Sequence, residues 1–307
     1  MPKFNVRKSV TIHAPIEKVH ASVRDFKQWR EWSPWVIAEP ETELNYAADG
    51  RSYSWAGKIV GAGENGIIAE DAPNSIDYRL VFHKPWKSVA AVKFQFTPRD
   101  GATEVTWSME SSVPFFLFFM KNMMAAFIGM DYQRGLNMLK DYLETGTVPS
   151  KLDFLGRQSF PGFRYVGVQA NCTNDNIGET MQETMKKVKG LITEGRIQTS
   201  GDAFSVYHKF DPVKQIVIFT AGYPVSNQPA SLPPGLIMGE VPPTPVYSVK
   251  HTGPYRHLGN VWAAGMMHER AKVFRQNKKI ACFETYANEP DDTGENDLVT
   301  TVHLPAK

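Results

Sequence analysis

The first half of the chain is a series of short segments in which hydrophobic and polar residues alternate. A period of two is typical of half-buried strands. It predicts a strand over residues 3–13 and, after a short helix (16–23) and a helical turn (25–29), strands over 43–47, 51–61, 66–70, 75–83, 88–97 and 103–111. Residues 115–144 have the composition of one long helix. We therefore expect an antiparallel meander that ends in a helix.

The second half contains the same order of predicted elements twice. The elements are strand 163–170, helix 177–195, strands 203–209 and 215–222, then strand 246–251, helix 255–275 and strands 280–287 and 298–304. A proline-rich connection, residues 223–245, separates the two copies. Two strand–helix–strand–strand units placed side by side leave a central groove. A connection this long is usually functional or mobile. We expect its stretch 236–238 to lie along that groove, because these residues are too apolar for a solvated loop, and an exposed spacer is the equal alternative.

The segment Thr145-Gly-Thr-Val-Pro-Ser150 is typical of a domain boundary. We predict a first domain over residues 1–146, a linker over 147–160 and a second domain over 161–307. A chain of 307 residues is long enough for two separate cores. The predicted fold class is α+β in both domains.

The charges of the two halves are nearly balanced. Residues 1–150 contain 17 basic and 17 acidic residues, and residues 151–307 contain 17 and 15, which gives the net charge of +2. Neither half carries the basic surplus of a nucleic-acid-binding module. We predict no direct binding to nucleic acid.

Membrane and secretion signals are absent from the sequence. The N-terminal residues lack an apolar core, and the most apolar run, Val113-Pro-Phe-Phe-Leu-Phe-Phe-Met120, is too short for a membrane span, which needs about 20 residues. The two cysteines, Cys172 and Cys282, are far apart. We expect a reduced, cytoplasmic protein without a membrane span.

The sequence contains no convincing signature of a cofactor, metal or nucleophile site. Gly61-Ala-Gly-Glu-Asn-Gly66 has the letters of a dinucleotide fingerprint, but a short strand follows it where the motif requires a helix. The histidines lack metal-ligand spacing, and no Gly-x-Ser-x-Gly occurs. We predict no cofactor and no metal.

The first domain resembles the START-like (SRPBCC) superfamily, which includes polyketide cyclases and lipid carriers. The residues that carry the resemblance are Ile12-His-Ala-Pro-Ile-Glu17, Phe26-Lys-Gln-Trp-Arg-Glu-Trp-Ser-Pro-Trp35 and Gly129-Met-Asp-Tyr-Gln-Arg-Gly-Leu-Asn-Met-Leu-Lys140. The resemblance implies a helix-grip fold, in which an antiparallel sheet wraps around a long C-terminal helix and leaves an apolar cavity.

Aromatic and methionine side chains are concentrated in the first domain. Its tryptophans are Trp29, Trp32, Trp35, Trp55, Trp86 and Trp107. As candidate ligand-binding residues we select Trp32, Trp55, Trp107, Phe119 and Met123. Aromatic rings and methionine also fill ordinary cores, so a packed core is the equal alternative. A hydrophobic docking face for the second domain or another subunit is a third.

The second domain resembles the gyrase-inhibitor-like, AraC-type effector-binding family. The resemblance rests on Tyr247-Ser-Val-Lys-His-Thr-Gly-Pro-Tyr255, Trp262, Phe283-Glu-Thr-Tyr286, Asn288-Glu-Pro-Asp-Asp292 and Thr300-Thr-Val-His-Leu-Pro305. It implies a duplicated β-α-β-β fold that holds small, often cationic or apolar molecules in an aromatic cleft with an acidic residue. The candidate ligand-binding residues are Tyr165, Phe219, Tyr223, Tyr255, Trp262, Glu284 and Tyr286.

Glu284 is the candidate for specific chemistry. Tyr286 lies two positions further along the same strand, so both side chains face the same side. An acidic group among aromatic rings would attract a cation, or would act as a general base if burial raised its pKa. The alternative is a surface glutamate in an ion pair. No other residue is a candidate for a catalytic role.

The closing strand departs from the pattern of the family, which commonly has an acidic residue where this chain has Thr301. This departure argues against strong selection of cations, and against the hydrolysis of cyclopropanoid compounds that some members perform. The most favoured function is binding of small apolar or aromatic molecules, in sensing, sequestration or detoxification. The alternatives are an enzyme, either cyclase-like or hydrolase-like, and a protein-interaction module such as a gyrase modulator, which would have a protein partner.

Overall fold

The computed structural model of the protein describes residues 2–84, 87–195 and 197–307. The chain divides into two compact units, Met1–Pro149 and Ser150–Lys307. Each unit is built on its own antiparallel sheet. The α+β fold class predicted from the sequence is therefore confirmed. Trp86 lies outside the described residues.

The first unit contains a seven-stranded sheet in the order β1-β7-β6-β5-β4-β3-β2. The strands are β1 (Lys3–Ile12), β2 (Glu43–Tyr46), β3 (Ser52–Ala56), β4 (Ala62–Asp71), β5 (Ser75–Lys84), β6 (Ser88–Arg99) and β7 (Ala102–Ser112). The helices are α1 (Ile16–Arg24), α2 (Trp29–Trp32) and α3 (Lys121–Thr145), with 3₁₀ helices at Val36–Ala38 and Phe115–Met120. The predicted meander is present, and β1 pairs with β7 at its open edge.

The long helix α3 packs against β1 and β7. It begins at Lys121, six residues after the predicted start, because Phe115–Met120 form the tighter 3₁₀ helix. The helix ends at Gly146, whose φ of 86° lies in the left-handed region that glycine adopts without a Cβ clash. The N–H of Gly146 donates to the Tyr142 carbonyl at 2.9 Å, which satisfies one of the last carbonyls of the helix.

An aromatic cluster fills the region between this sheet and α3. The Trp107 ring on β7 stacks on the Tyr132 ring of α3 with 3.9 Å between centroids, and on Phe94 of β6 with 4.8 Å. Trp29 and Trp32 of α2 meet the Trp107 and Phe94 rings at larger angles. Since each ring buries a large apolar area, this cluster is the main hydrophobic core of the unit.

The second unit contains an eight-stranded sheet in the order β12-β9-β11-β10-β14-β15-β13-β8. The strands are β8 (Lys151–Phe160), β9 (Phe163–Cys172), β10 (Ala203–Asp211), β11 (Ile216–Pro224), β12 (Ile237–Val241), β13 (Thr244–Thr252), β14 (Cys282–Tyr286) and β15 (Val299–Pro305). The helices are α4 (Ile177–Glu194) and α5 (Leu258–Arg270), with 3₁₀ helices at Tyr255–His257 and Glu295–Asp297.

The predicted duplication is present in this sheet. The first copy is β9-α4-β10-β11 and the second is β13-α5-β14-β15. The copies meet where β10 pairs antiparallel with β14, and Ser205 lies directly opposite Glu284. Helix α4 packs over β9 and β11, whereas α5 packs over β13 and β15. The two central strands, β10 and β14, therefore form the floor between the two helices.

Two segments differ from the predictions. Within the predicted linker 147–160, residues 151–160 form β8, which pairs with β13 because Leu152 and Phe154 pack against the core beneath α5. In the proline-rich connection, Ile237–Val241 form β12 on the outer side of β9, and Leu236 is buried near α4. The prediction that residues 236–238 border the central groove is therefore wrong.

Candidate functional site

The candidate site is centred on a carboxylate buried in the floor between α4 and α5. Glu284 on β14 is 1% exposed. Its Oε2 accepts hydrogen bonds from the hydroxyl of Tyr286 at 2.6 Å and from that of Tyr207 at 3.0 Å. The indole N–H of Trp262, on α5, donates to Oε1. Two strands and one helix thus converge on one side chain.

The alternation of β14 explains this arrangement. Glu284 and Tyr286 point to the same side of the sheet because they are two residues apart. The intervening Thr285 points the other way and lies 3.1 Å from Nε2 of His303. Tyr207 comes from β10, the strand that pairs with β14. The predicted proximity of Glu284 and Tyr286 is therefore confirmed.

The electrostatics of Glu284 are governed by its burial. Loss of solvent raises the pKa of this carboxyl, and the three hydrogen bonds from Tyr286, Trp262 and Tyr207 lower it only in part. Within the described residues no cationic side chain forms an ion pair with Glu284. The alternative of a surface glutamate in an ion pair therefore does not describe Glu284. Burial, followed by the negative charge of Glu284, also raises the pKa of Tyr207 and Tyr286 well above 10.0.

Further contacts hold the side chains of the floor in place. The hydroxyl of Tyr286 lies 2.9 Å from Oγ of Ser205, and that Oγ lies 3.2 Å from Sδ of Met181 on α4. Thr300, opposite Tyr286 on β15, is fully buried, and its hydroxyl has no hydrogen-bond partner among the described residues. The floor therefore contains a buried polar group that a bound molecule or water would satisfy.

Aromatic rings surround the carboxylate on the side that faces the helices. The rings of Tyr207 and Trp262 meet edge to face with 5.0 Å between centroids, and both side chains are only half-buried. Tyr255, 37% exposed, lies 5.9 Å from the Tyr286 ring. Burial raises the pKa of Tyr255 to about 12, with smaller contributions from Glu284 and other charges. Aromatic surface is thus accessible directly next to Glu284.

Two of the predicted residues are close to this centre without contacting Glu284. Phe219 on β11 is fully buried, 6.2 Å from the Tyr207 ring, and supports that ring from the side of β11. Tyr223 donates to Oε1 of Glu289 at 2.6 Å, and Lys189 of α4 contacts the same carboxylate. Tyr223 therefore ties the loop after β14 to β11, and Lys189 ties it to α4.

Tyr165 does not belong to the cluster around Glu284. Its ring packs at a tilt of 53° against the Phe204 ring, with 4.7 Å between centroids, and it belongs to the apolar cluster that includes Phe283. Phe204 and Phe283 are the direct neighbours of Ser205 and Glu284, so they face the opposite side of the sheet. The sequence places Tyr165 in a strand, but it does not show which face of that strand is directed towards the groove.

Tyr207 is the residue of this site that the sequence analysis missed. It lies within the predicted strand 203–209, two residues after Ser205. Its position opposite β14 depends on the pairing of two strands that are more than seventy residues apart in the chain. The available signal was an aromatic residue in the first copy of the repeat, in the strand that corresponds to the one carrying Glu284.

The location of Thr301 in the sheet bears on the expectation of weak cation selection, which rests on its neutral side chain. Thr301 pairs with Thr285 on the face of the sheet away from Glu284, whereas its neighbour Val302 packs beneath α5. A neutral residue at this position therefore does not alter the charge next to Glu284.

The predicted ligand-binding residues of the first unit are not brought together. Trp32 and Trp107 are buried in the aromatic core, 5.9 Å apart, so the core alternative describes their place. Trp55 lies on β3 against Phe82, with 5.8 Å between the ring centroids. Phe119 is 69% exposed on the 3₁₀ helix before α3.

Met123, 39% exposed, follows that 3₁₀ helix in the first turn of α3. It does not share a site with the buried tryptophans. The buried indole N–H of Trp32 has no hydrogen-bond partner within the part of the chain that the structure describes.

The comparison with protein families agrees with both units. Residues 3–144 match the family described as polyketide cyclase / dehydrase and lipid transport. Residues 158–307 match the GyrI-like small molecule binding domain. Two family models thus match the chain one after the other, and the second family is described as one of small-molecule binding.

Solved structures resemble the units at low identity. MLL2253 from Mesorhizobium loti is 15% identical, with 46% of this chain and 96% of that chain covered and a TM-score of 0.36. The C-terminal domain of EcmrR is 13% identical, with 52% and 98% covered and a TM-score of 0.42. EcmrR in a DNA complex is 15% identical, with 62% and 67% covered and a TM-score of 0.39. The chain has no significant match among curated proteins.

In residues 2–84, 87–195 and 197–307, no helix has the length and apolarity needed to cross a membrane. The same residues contain no group of three or more His, Cys, Asp and Glu side chains arranged to hold a metal ion.

Proposed function

We propose that the cleft between α4 and α5 binds small apolar or aromatic molecules, and that the protein serves in their sensing, sequestration or detoxification. The observation that carries this proposal is the buried carboxylate of Glu284 beneath half-exposed aromatic rings. A pocket with mostly aromatic walls and a few fixed polar groups is typical of small-molecule sites. The match of this unit to a small-molecule-binding family supports the same function.

The rings define the shape of a suitable ligand. Tyr207 and Trp262 present an edge-to-face pair, and Tyr255 presents a third, partly exposed ring. A planar molecule that stacks on one of these rings also meets the edge of another. We therefore infer that the ligands are flat and largely apolar.

The protonation state of Glu284 determines which ligand charge the site favours. The carboxyl already accepts three hydrogen bonds, and burial makes its ionised form less favourable. A ligand that donates an N–H satisfies the carboxyl without requiring a full ion pair, whereas a permanent cation requires the charged form. We therefore propose a preference for neutral or weakly charged aromatic molecules, particularly those with an N–H donor.

An enzymatic function is the second candidate, because a buried carboxyl with a raised pKa in an aromatic cleft is suited to general acid–base chemistry. In an enzyme, Glu284→Gln should abolish turnover with a smaller effect on affinity. In a binding protein, ligand should be recovered unchanged after incubation, which chromatography of the incubated mixture would show.

The binding proposal is tested by isothermal titration calorimetry with two probes, the neutral amine N-phenylnaphthylamine and the permanent cation tetraphenylphosphonium. We expect the neutral amine to bind more tightly. Trp262→Ala should weaken its binding by about tenfold or more, because the variant loses both ring area and the donor to Glu284. Trp262→Phe keeps a ring and should show a smaller loss.

A matched pair of hydroxyl deletions locates the site. Tyr207→Phe removes a donor to Glu284 and should change the affinity for the neutral amine, whereas Tyr165→Phe removes a hydroxyl on the opposite face and should not. Circular dichroism confirms that each variant is folded. Equal effects of the two substitutions, or tight binding of only the permanent cation, would contradict the proposal.

A further inference from the structure

The 3₁₀ helix Phe115–Met120 and the first turns of α3, which together we name the phenylalanine turn, expose a large apolar surface. Soluble proteins rarely expose several large apolar side chains together without an interaction that covers them. The exposed fractions of the side chains are 78% for Phe115, 74% for Phe116, 59% for Phe118, 69% for Phe119, 39% for Met123 and 37% for Phe127.

The fold holds these rings outward. Val113, just before the turn, is 1% exposed, and its N–H donates to the carbonyl of Pro2 at 3.0 Å. Leu117, in the middle of the turn, packs against the hydrophobic core of the first unit. Phe115, Phe118 and their neighbours therefore project from an anchored segment and not from a loose loop.

Lysine side chains lie at the same end of the sheet. Lys3 on β1 pairs with Ser112, the last residue of β7, three residues before Phe115. Ser88 at the start of β6 pairs with Phe82 near the end of β5, and Ala91 pairs with Glu110 of β7. The starts of β1 and β6 and the ends of β5 and β7 are therefore at the same end of the sheet as the phenylalanine turn.

The charge at this end is predominantly positive. Lys3, Lys84 and Lys87 are exposed, and Lys121 follows the phenylalanine turn directly. None of the four forms an ion pair within the described residues. Two carboxylates lie near these strand ends: Glu110, two residues before the end of β7, and Glu64 of β4, which forms an ion pair with Arg79. A set of unpaired cations thus surrounds a protruding group of aromatic rings.

We infer that this end of the first unit docks onto an anionic lipid bilayer. The phenylalanine rings enter the boundary between the head groups and the acyl chains, and the four lysines contact lipid phosphates. The combination of apolar insertion and electrostatic attraction is what stable binding at a membrane surface requires. This function is separate from the small-molecule cleft of the second unit.

The shape of the turn favours a bilayer over a protein partner. Protein interfaces bury aromatic anchors in fitted pockets at a well-packed centre. Here Phe118 contacts Phe115 and Phe119 with centroids 6.2 and 6.0 Å apart, and the rings protrude at exposures up to 78%. Acyl chains adapt to such a protruding group without a complementary pocket.

Vesicle flotation with the full chain tests the inference. We expect it to float with phosphatidylcholine vesicles that contain about one third phosphatidylglycerol, and to bind pure phosphatidylcholine more weakly. Phe116→Ser and Phe119→Ser should each lower the partition coefficient about tenfold. Lys84→Gln with Lys87→Gln should weaken binding to the anionic vesicles and reduce its sensitivity to salt.

A control for these variants is Phe210→Ser, which alters a 47% exposed phenylalanine of the second unit and should leave flotation unchanged. Circular dichroism confirms that each variant is folded. Absence of flotation of the unmodified chain, or equal flotation of the Phe116 and Phe210 variants, would overturn the inference. Light scattering would also overturn the inference if it showed that the chain is a dimer without lipid and that Phe116→Ser converts the dimer to a monomer. The phenylalanine turn would then be an interface with a second copy of the chain.

Discussion

Replacement of Glu284 by glutamine tests whether burial controls the charge of the candidate site. The substitution keeps the size of the side chain and removes its titrating proton. The new carbonyl oxygen still accepts from the Trp262 indole, and the new amide donates to a tyrosine hydroxyl, which is able to accept. The floor of the cleft should therefore keep its shape.

The sign of the effect follows from the pKa. Burial raises the pKa of Glu284 above 4.5, so the folded protein retains this proton at pH values where the unfolded chain has released it. From about pH 4.5 up to the pKa of the folded state, unfolding releases a proton and the free energy of unfolding decreases as pH rises. The slope is at most about 1.4 kcal/mol per pH unit for one group.

The glutamine variant lacks this dependence. Its free energy of unfolding should therefore rise relative to that of the unmodified protein as pH increases above about 4.5, with no change in the difference at lower pH. Urea titrations at several pH values, with hydrogen exchange of the β10 and β14 segments as the readout, measure the second unit separately.

A matched control is Glu295→Gln, whose side chain is 65% exposed and forms a surface ion pair with Arg256. Its effect on stability should be small, because solvent screens such pairs. If the difference between the Glu284 variant and the unmodified protein did not change between about pH 4 and about pH 8, or changed in the opposite direction, the assignment of a burial-dominated carboxyl would be wrong.

Other predictions concern the two cores. Gly135→Ala would place a Cβ 2.8 Å from the Trp107 ring and should destabilise the first unit by about 1–3 kcal/mol in urea titrations. Its control, Gly129→Ala in the same helix, would meet Lys8 Cε at 3.5 Å and Val6 Cγ1 at 3.7 Å, which are ordinary contacts, and should be neutral or slightly stabilising; equal losses would refute the packing argument. In the second unit, burial lowers the pKa of His303 from 6.5 to about 4. Stability should therefore be lost as pH falls from 6.5 towards 4, and His303→Gln should reduce that loss in thermal unfolding at several pH values; an unchanged pH profile would count against this assignment.

The sequence by itself determined the local elements and the order in which they occur. Alternation of apolar and polar residues located the strands, because side chains of a strand point to opposite faces with a period of two. The same rule placed Glu284 and Tyr286 on one side of β14, which the structure confirms. The repeated order of elements in the second half was also visible, since each copy carries its own strand and helix signals.

The tertiary structure alone decided which side chains meet. Tyr165 faces away from the cleft and Tyr207 faces into it, because the pairing of β10 with β14 and the face covered by α4 are set by contacts between residues far apart in the chain. Trp107 became a core residue when α3 placed Tyr132 against its ring. Residues 151–160 became a strand because β13 offered an unpaired edge. Periodicity describes a segment, whereas the partner of that segment depends on the packing of the whole domain.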